Sequence, residues 1–285
     1  MNDSEKLKIG MGQLLVEGGE PERNLNRAEE LIIEASRSGC NIILLPECSD
    51  LAWSHPSAKT KAETIPGKRS DFFSAIAVRE KIYIAVGLTE KVENSIYNSA
   101  ILVNPSGDII LKYRKINILK VVQDLYEVGG TLSVVKTPLG VIGMNICSDN
   151  YIDSLNIGHV LGRMGAQIIL SPSSWTVDYN VTNDSDPYRE KWLKPYSILA
   201  KMFDLVMVSA TSVGYLVGGP FEGKKSVGCS IAVGKNGILA MGKFNELASE
   251  LIIAEFIVPQ PFRKGTELTS YLAESGYKES FGKFI

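Results

Sequence analysis

The chain has 285 residues, of which 45% are hydrophobic, and its formal net charge is -2 at pH 7. This length and apolar content can supply the core of one large domain or of two small ones. The balanced charge argues against nucleic acid as a partner, and no apolar run approaches the ~20 residues of a membrane span.

The cysteines and histidines restrict the chemistry that the chain can perform. The four cysteines show no CxxC spacing, so we expect neither a metal site nor a disulfide framework. The polar N-terminal residues do not resemble a signal peptide, which predicts a cytoplasmic protein. Because the chain has only two histidines, catalysis would have to rely on carboxylates, lysine and thiol.

The predicted secondary structure alternates between strands and helices. Short apolar runs predict strands, and apolar residues at helical spacing predict helices. The strands are predicted at residues 8–16, 41–45, 82–87, 97–103, 108–112, 141–146, 167–170, 205–210 and 251–258. The helices are predicted at residues 24–36, 71–80, 157–164 and 196–203. A second hairpin is predicted at residues 228–238, around Asn236-Gly237.

Two halves of the sequence resemble each other. The segment Gly39–Pro46 matches Gly165–Pro172, and the two hairpin turns, Ser106-Gly107 and Asn236-Gly237, are separated by a similar distance. Such a repeat predicts one α/β layer built twice, with the two sheets face to face and the helices outside. We therefore expect residues 1–285 to form one four-layer α-β-β-α sandwich with an internal pseudo-twofold repeat.

Three predicted strands end at polar side chains that can react. Glu47, Lys115 and Cys147 each follow an apolar run, and active-site groups tend to collect at strand ends. A thiol needs a base, and a carboxylate can serve when burial raises its pKa. The ammonium group of Lys115 and the backbone N–H of Ser148 can stabilise an oxyanion. The sequence therefore predicts covalent catalysis by Cys147.

Each of these residues also has an ordinary structural interpretation. Most free cysteines are small apolar fillers, which would make Cys147 inert. Glu47 can be a loop carboxylate, and Lys115 can belong to a solvated basic cluster with Lys112 and Arg114.

The motifs Leu45-Pro46-Glu47, Tyr113-Arg114-Lys115 and Asn145-Ile146-Cys147 resemble the Glu-Lys-Cys motifs of the carbon–nitrogen hydrolase (nitrilase) superfamily. The similarity covers about residues 8–258, in the order that the family shows. It implies an α-β-β-α sandwich without a cofactor that pairs into a homodimer or a higher homo-oligomer. The tail, residues 259–285, is expected at the oligomer interface.

The resemblance also implies an activity, the hydrolysis of a small amide, N-carbamoyl compound or nitrile through a thioester or thioimidate on Cys147, with release of ammonia. It favours the amidase and carbamoylase branch. Glu127 matches a second glutamate found in many members, which implies that it orients the substrate and supports Lys115. Trp175 lies in a further matching segment and is expected beside the substrate.

Tyr151 predicts the charge of the substrate. Relatives that act on ω-amides of dicarboxylic acids resemble one another in placing an arginine four residues after the cysteine, where this chain has Tyr151. We therefore expect a neutral or cationic substrate, unless a positive charge comes from one of three other residues on nearby loops, Lys120, Arg189 or Lys191.

Other functions stay open at this point. A true nitrilase is disfavoured because Cys147 is not followed by the Trp-Glu pair of that branch. Transfer of the acyl group to an amine and a catalytically silent scaffold remain as alternatives to hydrolysis.

Overall fold

The computed structural model describes residues 6–185 and 190–261, and in it two six-stranded sheets pack face to face with helices on their outer sides. This is the four-layer α-β-β-α arrangement expected from the sequence. Residues 262–285, most of the predicted tail, lie outside the described residues, so their place at an oligomer interface stays a prediction. Within the described ranges, no helix is both long enough and apolar enough to cross a membrane.

The elements are numbered in chain order. The strands are β1 (Leu7–Gln13), β2 (Ile42–Leu44), β3 (Tyr83–Val92), β4 (Ser95–Val103), β5 (Ile109–Arg114), β6 (Val134–Thr137), β7 (Gly140–Met144), β8 (Ile168–Ser173), β9 (Thr176–Val177), β10 (Val206–Thr211), β11 (Val213–Tyr215), β12 (Lys225–Val227), β13 (Ile231–Gly234), β14 (Gly237–Met241) and β15 (Glu250–Phe256). The helices are α1 (Pro21–Arg37), α2 (Ala58–Lys61), α3 (Lys68–Glu80), α4 (Leu155–Arg163) and α5 (Glu190–Phe203).

The two large sheets have the same design. The first has the order β15-β1-β2-β3-β4-β5, and the second has the order β14-β13-β10-β8-β7-β6. Each contains three neighbouring parallel strands, β1-β2-β3 or β7-β8-β10, extended at one edge by an antiparallel hairpin. At the other edge, β15 or β6 pairs antiparallel with the first parallel strand. The internal repeat of the sequence thus corresponds to two similar sheets.

The alternation of side chains along each strand separates two layers of core. In β2, Ile42 and Leu44 face the second sheet, whereas Ile43 faces the helices α1 and α3. Helix α1 presents a matching apolar face, which includes Leu31 and Ile32. The parallel strands are therefore buried on both faces, which explains their continuous apolar runs.

The structure differs from the prediction mainly in its short elements. Strand β6 and the small sheet of β9, β12 and β11 were not predicted, because strands of two to four residues are too short to show periodicity. Strand β7 ends at Met144, two residues before the predicted end. Helix α5 begins at Glu190 and contains Pro195, whereas the prediction began it at Tyr196.

Gly87 in β3 packs directly against the backbone that carries Glu47. A Cβ atom at Gly87 would lie 2.6 Å from the Glu47 Cα atom and 2.8 Å from the Cys48 nitrogen. Gly87→Ala should therefore lower the free energy of unfolding by about 1–3 kcal/mol, as overpacking does, measured by urea denaturation. Gly143→Ala is the control, because its Cβ atom would meet only side chains, at 3.4 Å or more. Equal stability of the two variants would contradict this interpretation.

Candidate active site

Glu47 and Lys115 form a buried ion pair at the ends of two strands of the first sheet. Glu47 lies shortly after β2 and Lys115 directly after β5, and Lys115 Nζ donates a hydrogen bond of 2.5 Å to Glu47 Oε1. Asn98 Nδ2 on β4 donates to the same oxygen at 2.7 Å. Glu47 is 1% exposed and Lys115 is 3% exposed, so solvent screens this pair very little.

The backbone of Glu47 is held by both sheets. Its N–H donates to the carbonyl of Ser173, in β8 of the second sheet, at 3.3 Å. The preceding Pro46 carbonyl accepts from Gly87 N at 3.0 Å and from Ser49 Oγ at 2.8 Å. These bonds fix the carboxylate where the first sheet meets the second.

Cys147 begins a single 3-10 turn, a short distance after β7. Its φ angle of +45° lies in the left-handed region, which non-glycine residues adopt at a cost of about 1–3 kcal/mol. Asp149 stabilises the turn: its carboxylate accepts from Ile146 N at 2.8 Å, Tyr113 Oη at 2.7 Å and Asn117 N at 2.7 Å. The strained turn is therefore tied to the same strand end that carries Lys115.

Burial determines the protonation of the thiol and the ammonium group. Burial and the nearby Glu47 carboxylate raise the pKa of Cys147 to about 12, although Lys115 acts in the opposite direction. Burial by itself lowers the pKa of Lys115, but the charges of Glu47, Cys147 and Asp149 outweigh it and raise that pKa above its ordinary value. At neutral pH, Cys147 is therefore a thiol beside an ion pair, and it needs a base when it attacks.

One cavity of about 140 Å³ contains all three predicted catalytic side chains. Its polar lining consists of Glu47, Lys115, Cys147, Ser174 and Thr176. Its remaining walls are aromatic or apolar and consist of Trp53, Leu119, Tyr151, Trp192 and Phe221. The cavity can hold a small molecule with a polar reacting end and an apolar remainder.

The aromatic walls come from distant parts of the chain. Trp192 in α5 stacks on Trp175, with ring centroids 4.7 Å apart, and also contacts Tyr151 at 5.2 Å. Two further lining residues, Trp53 and Phe221, meet edge to face with ring centroids 5.2 Å apart. Trp53, Trp192 and Phe221 were not predicted as site residues. The sequence contains no motif or spacing that would have placed these three side chains in one cavity.

The other predicted site residues differ in their positions. Tyr151 lines the cavity, whereas Trp175 lies behind Trp192 and supports it from outside the lining. Ser148 is buried, and its side chain is turned away from the cavity, since its hydroxyl donates to the carbonyl of Asn117 at 2.7 Å.

Glu127 does not occupy the position that the resemblance implied. Its side chain is exposed, and no hydrogen bond or ion pair joins it to Lys115, although both residues are among those described. The neighbouring Tyr126 takes the inward direction, with its hydroxyl 3.7 Å from Cys48 Sγ. Because adjacent residues of an extended chain point to opposite sides, Glu127 faces solvent. In the described part of the chain, Glu127 thus makes no hydrogen bond or ion pair with Lys115, and its expected role in orienting the substrate stays a prediction.

Of the three alternative sources of positive charge, Lys120 and Lys191 are not found in the cavity lining, whereas Lys115 is. Both of these side chains are exposed. Arg189 lies outside the described residues.

The raised pKa of Cys147 predicts how its thiol titrates. The ultraviolet absorbance of thiolate, taken as the difference between the unaltered protein and Cys147→Ala, should stay flat from about pH 6 to about pH 10 and rise only above that range, because the group remains protonated below its pKa. A step in the difference with a midpoint between about pH 5 and 8, as for a preformed thiolate, would show that the site is organised differently.

Comparison with known proteins places this chain in a family. The family model for carbon-nitrogen hydrolase matches residues 8–258. The omega-amidase NIT2 of Xenopus tropicalis is 29% identical over 182 residues, which cover 60% of this chain and 65% of the relative. The match thus spans slightly less than two thirds of that relative. A nitrilase of Pyrococcus abyssi is 31% identical over 179 residues, 61% of this chain and 67% of the relative.

A solved structure shows the same fold. A doubly substituted amidase from Nesterenkonia sp. AN1, in complex with acrylamide, superposes with a TM-score of 0.77 at 15% identity, over 100% of this chain and 99% of that one. At this identity the likeness concerns the fold alone. Since the family model extends over residues 8–258 of a 285-residue chain, the chain belongs to the carbon-nitrogen hydrolase family.

Proposed function

We propose that this chain is an amidase that hydrolyses a small amide through a thioester on Cys147 and releases ammonia. The observation that carries this proposal is the buried Glu47–Lys115 pair, which lines one cavity together with the Cys147 thiol. A thiol, a carboxylate and an ammonium group are the nucleophile, the base and the oxyanion stabiliser that acyl transfer requires.

The first half of the reaction forms the thioester. Glu47 takes the proton of Cys147 as the sulfur attacks the amide carbon, because the high pKa of the thiol leaves almost no thiolate at neutral pH. The ammonium of Lys115 and the backbone N–H of Ser148 stabilise the oxyanion of the tetrahedral adduct. Protonated Glu47 then gives its proton to the leaving nitrogen, the C–N bond breaks and ammonia departs.

The second half uses the same groups with water. Glu47, again a carboxylate, takes a proton from water as the oxygen attacks the thioester carbon. When the C–S bond breaks, the proton returns from Glu47 to the Cys147 sulfur, and the product leaves as a carboxylic acid. Because Lys115 holds the Glu47 carboxylate in one position, the same carboxylate can serve both steps without rearrangement.

The walls of the cavity favour a substrate without a carboxylate. Among the described residues, Lys115 is the one cationic side chain in the lining, and Glu47 already neutralises it. Lys224 lies 5.2 Å from the ring of Phe221, outside the lining, and pairs with Asp178. A carboxylate bound against the aromatic walls would lack a partner, at a cost of roughly several kcal/mol.

A relative that is similar in sequence supports an amide as the bond that is cleaved. An omega-amidase stands among the similar proteins, which favours an amide over an N-carbamoyl group. This chain has Tyr151 where the relatives that bind a carboxylate have an arginine. Burial, together with the negative charge of the Cys147 thiolate, raises the pKa of Tyr151 to about 12, so its hydroxyl carries no charge at neutral pH. We infer a neutral or cationic acyl group of small size.

The first test concerns the three groups that we propose as the catalytic unit. Cys147→Ala should abolish ammonia release, and Glu47→Gln and Lys115→Ala should each lower kcat by about 100-fold or more. Because the residues act together, the double variant should be little worse than either single one. Losses that multiply would mean that the two groups act separately.

Glu90→Gln is the control for the loss of a buried ion pair. Glu90 is 1% exposed and pairs with Lys112 and Arg114 outside the cavity. Its substitution should lower stability and leave kcat within about threefold of the unaltered protein. Ammonia release that depends on an added amine would instead indicate acyl transfer.

The second test concerns the charge of the substrate. For matched amides that differ only in a free carboxylate or its methyl ester, kcat/KM should be at least about tenfold higher for the ester. Tyr151→Arg should reduce or reverse this preference, because arginine can bind a carboxylate with two parallel hydrogen bonds. Tyr151→Phe, the control, should keep the preference. A carboxylate substrate preferred by the unaltered protein would overturn the inference about Tyr151.

A further inference from the structure

A second, smaller cavity adjoins the thiol-containing cavity at Glu47. Its volume is about 10 Å³, which is room for one water molecule and no larger ligand. Three residues, Glu47, Trp53 and Ser174, line both cavities and therefore form a wall that the two cavities share. Val217, which is 65% exposed, also lines the small cavity, so the cavity reaches the protein surface.

Four hydroxyl groups connect the two cavities. Ser174 Oγ lies 2.7 Å from Ser212 Oγ and 3.3 Å from Ser226 Oγ, and Ser226 Oγ lies 3.4 Å from Thr176 Oγ1. Ser212 and Ser226 line the small cavity, Thr176 lines the thiol-containing one, and Ser174 lines both. The three serines are buried, so their hydroxyls interact with each other and with what the cavity holds.

The carboxylate in the shared wall has one oxygen still available. Glu47 Oε1 accepts from Lys115 and Asn98, whereas Glu47 Oε2 is buried and has no hydrogen-bond partner among the described residues. A buried acceptor without a donor is unfavourable, because it has lost its hydrogen bonds to water. A water molecule beside Glu47, with serine hydroxyls as its other neighbours, would have the two to four polar partners that buried water requires.

We propose that the small cavity is a binding site for one water molecule and supplies the water that hydrolyses the thioester. This inference rests on the proposed function and assigns a route to its second reactant. While the acyl group occupies the thiol-containing cavity, the aromatic side chains around it exclude bulk water. The hydroxyl-lined cavity beside Glu47 gives water a separate path to the base and to the adjoining thioester.

The chemical step balances with the groups at hand. The water oxygen forms the new C–O bond to the thioester carbon, and its proton passes to Glu47. The C–S bond breaks, and the Cys147 sulfur takes the proton back from Glu47. Ser212 and Ser226 are positioning residues in this step, because they hold the water and do not exchange bonds with the acyl group.

The size of the small cavity also predicts that water is preferred over amines as the acceptor. An amine with even one carbon atom is larger than the single water for which the cavity has room. Amines would have to enter through the thiol-containing cavity, which the acyl group occupies. The site thereby favours hydrolysis over transfer of the acyl group.

The experiment separates formation of the thioester from its hydrolysis. Ser212→Val removes a hydroxyl and fills the cavity, and Ser226→Ala removes a hydroxyl with little change of volume. With a good amide substrate, the ammonia burst measures thioester formation, and intact-mass measurement follows decay of the acyl-enzyme. We expect each variant to slow decay by about tenfold and to leave formation within about twofold. Hydroxylamine should also capture a larger share of the acyl group in Ser212→Val.

Ser230→Ala serves as the control, because Ser230 is buried and bonded to Thr211 and does not line either cavity. It should leave both rates unchanged. Should Ser212→Val fail to fold, Ser226→Ala alone decides between the outcomes. Decay that is unaffected in Ser226→Ala, or formation and decay that fall by the same factor, would overturn the proposed water site. Absence of both ammonia release and hydroxamate formation by the unaltered protein, over a panel of small neutral amides, would overturn the proposed function itself.

Discussion

The buried ion pair between Glu47 and Lys115 is the interaction on which the rest of the structure depends. Transfer of two charges out of water costs roughly several kcal/mol per ion, and only a close partner with further hydrogen bonds offsets it. The fold meets this requirement by placing the ends of β2 and β5 within reach of each other, with Asn98 from β4 between them. The same arrangement leaves Cys147 beside a carboxylate that is already desolvated and oriented.

The main features of the fold and the reacting groups were predictable from the sequence. Continuous apolar runs indicated strands buried on both faces, and polar residues directly after three of them indicated a common site. The structure brings Glu47, Lys115 and Cys147 into one cavity. Glu127 shows the limit of this reasoning: it matched a family motif, but in a segment without regular structure the direction of its side chain depends on Tyr126, which takes the buried side.

The residues that form the aromatic walls of the cavity were not predictable from the sequence. Trp53, Trp192 and Phe221 come from a loop, a helix and another loop, and no periodic pattern relates them. The hydroxyls of Ser174, Ser212 and Ser226 are likewise brought together by short strands that leave no signal in the sequence. Local patterns predict secondary structure, whereas contacts between distant loops depend on the packing of the whole chain. The reaction type is therefore easier to infer than the substrate.

The pairing of β15 with β1 has a consequence for the order in which the chain is assembled during synthesis. The second sheet is built from strands β6–β14 and is contiguous in sequence apart from the small sheet, whereas the first sheet requires Leu7 to pair with Phe256. Contacts between such distant residues form slowly, and the open edge of β1 can meanwhile pair with another chain. A nascent chain can thus build the sheet that carries Cys147 before it completes the sheet that carries Glu47 and Lys115. The first sheet is complete only when β15, the last described strand, has been made and has docked against β1.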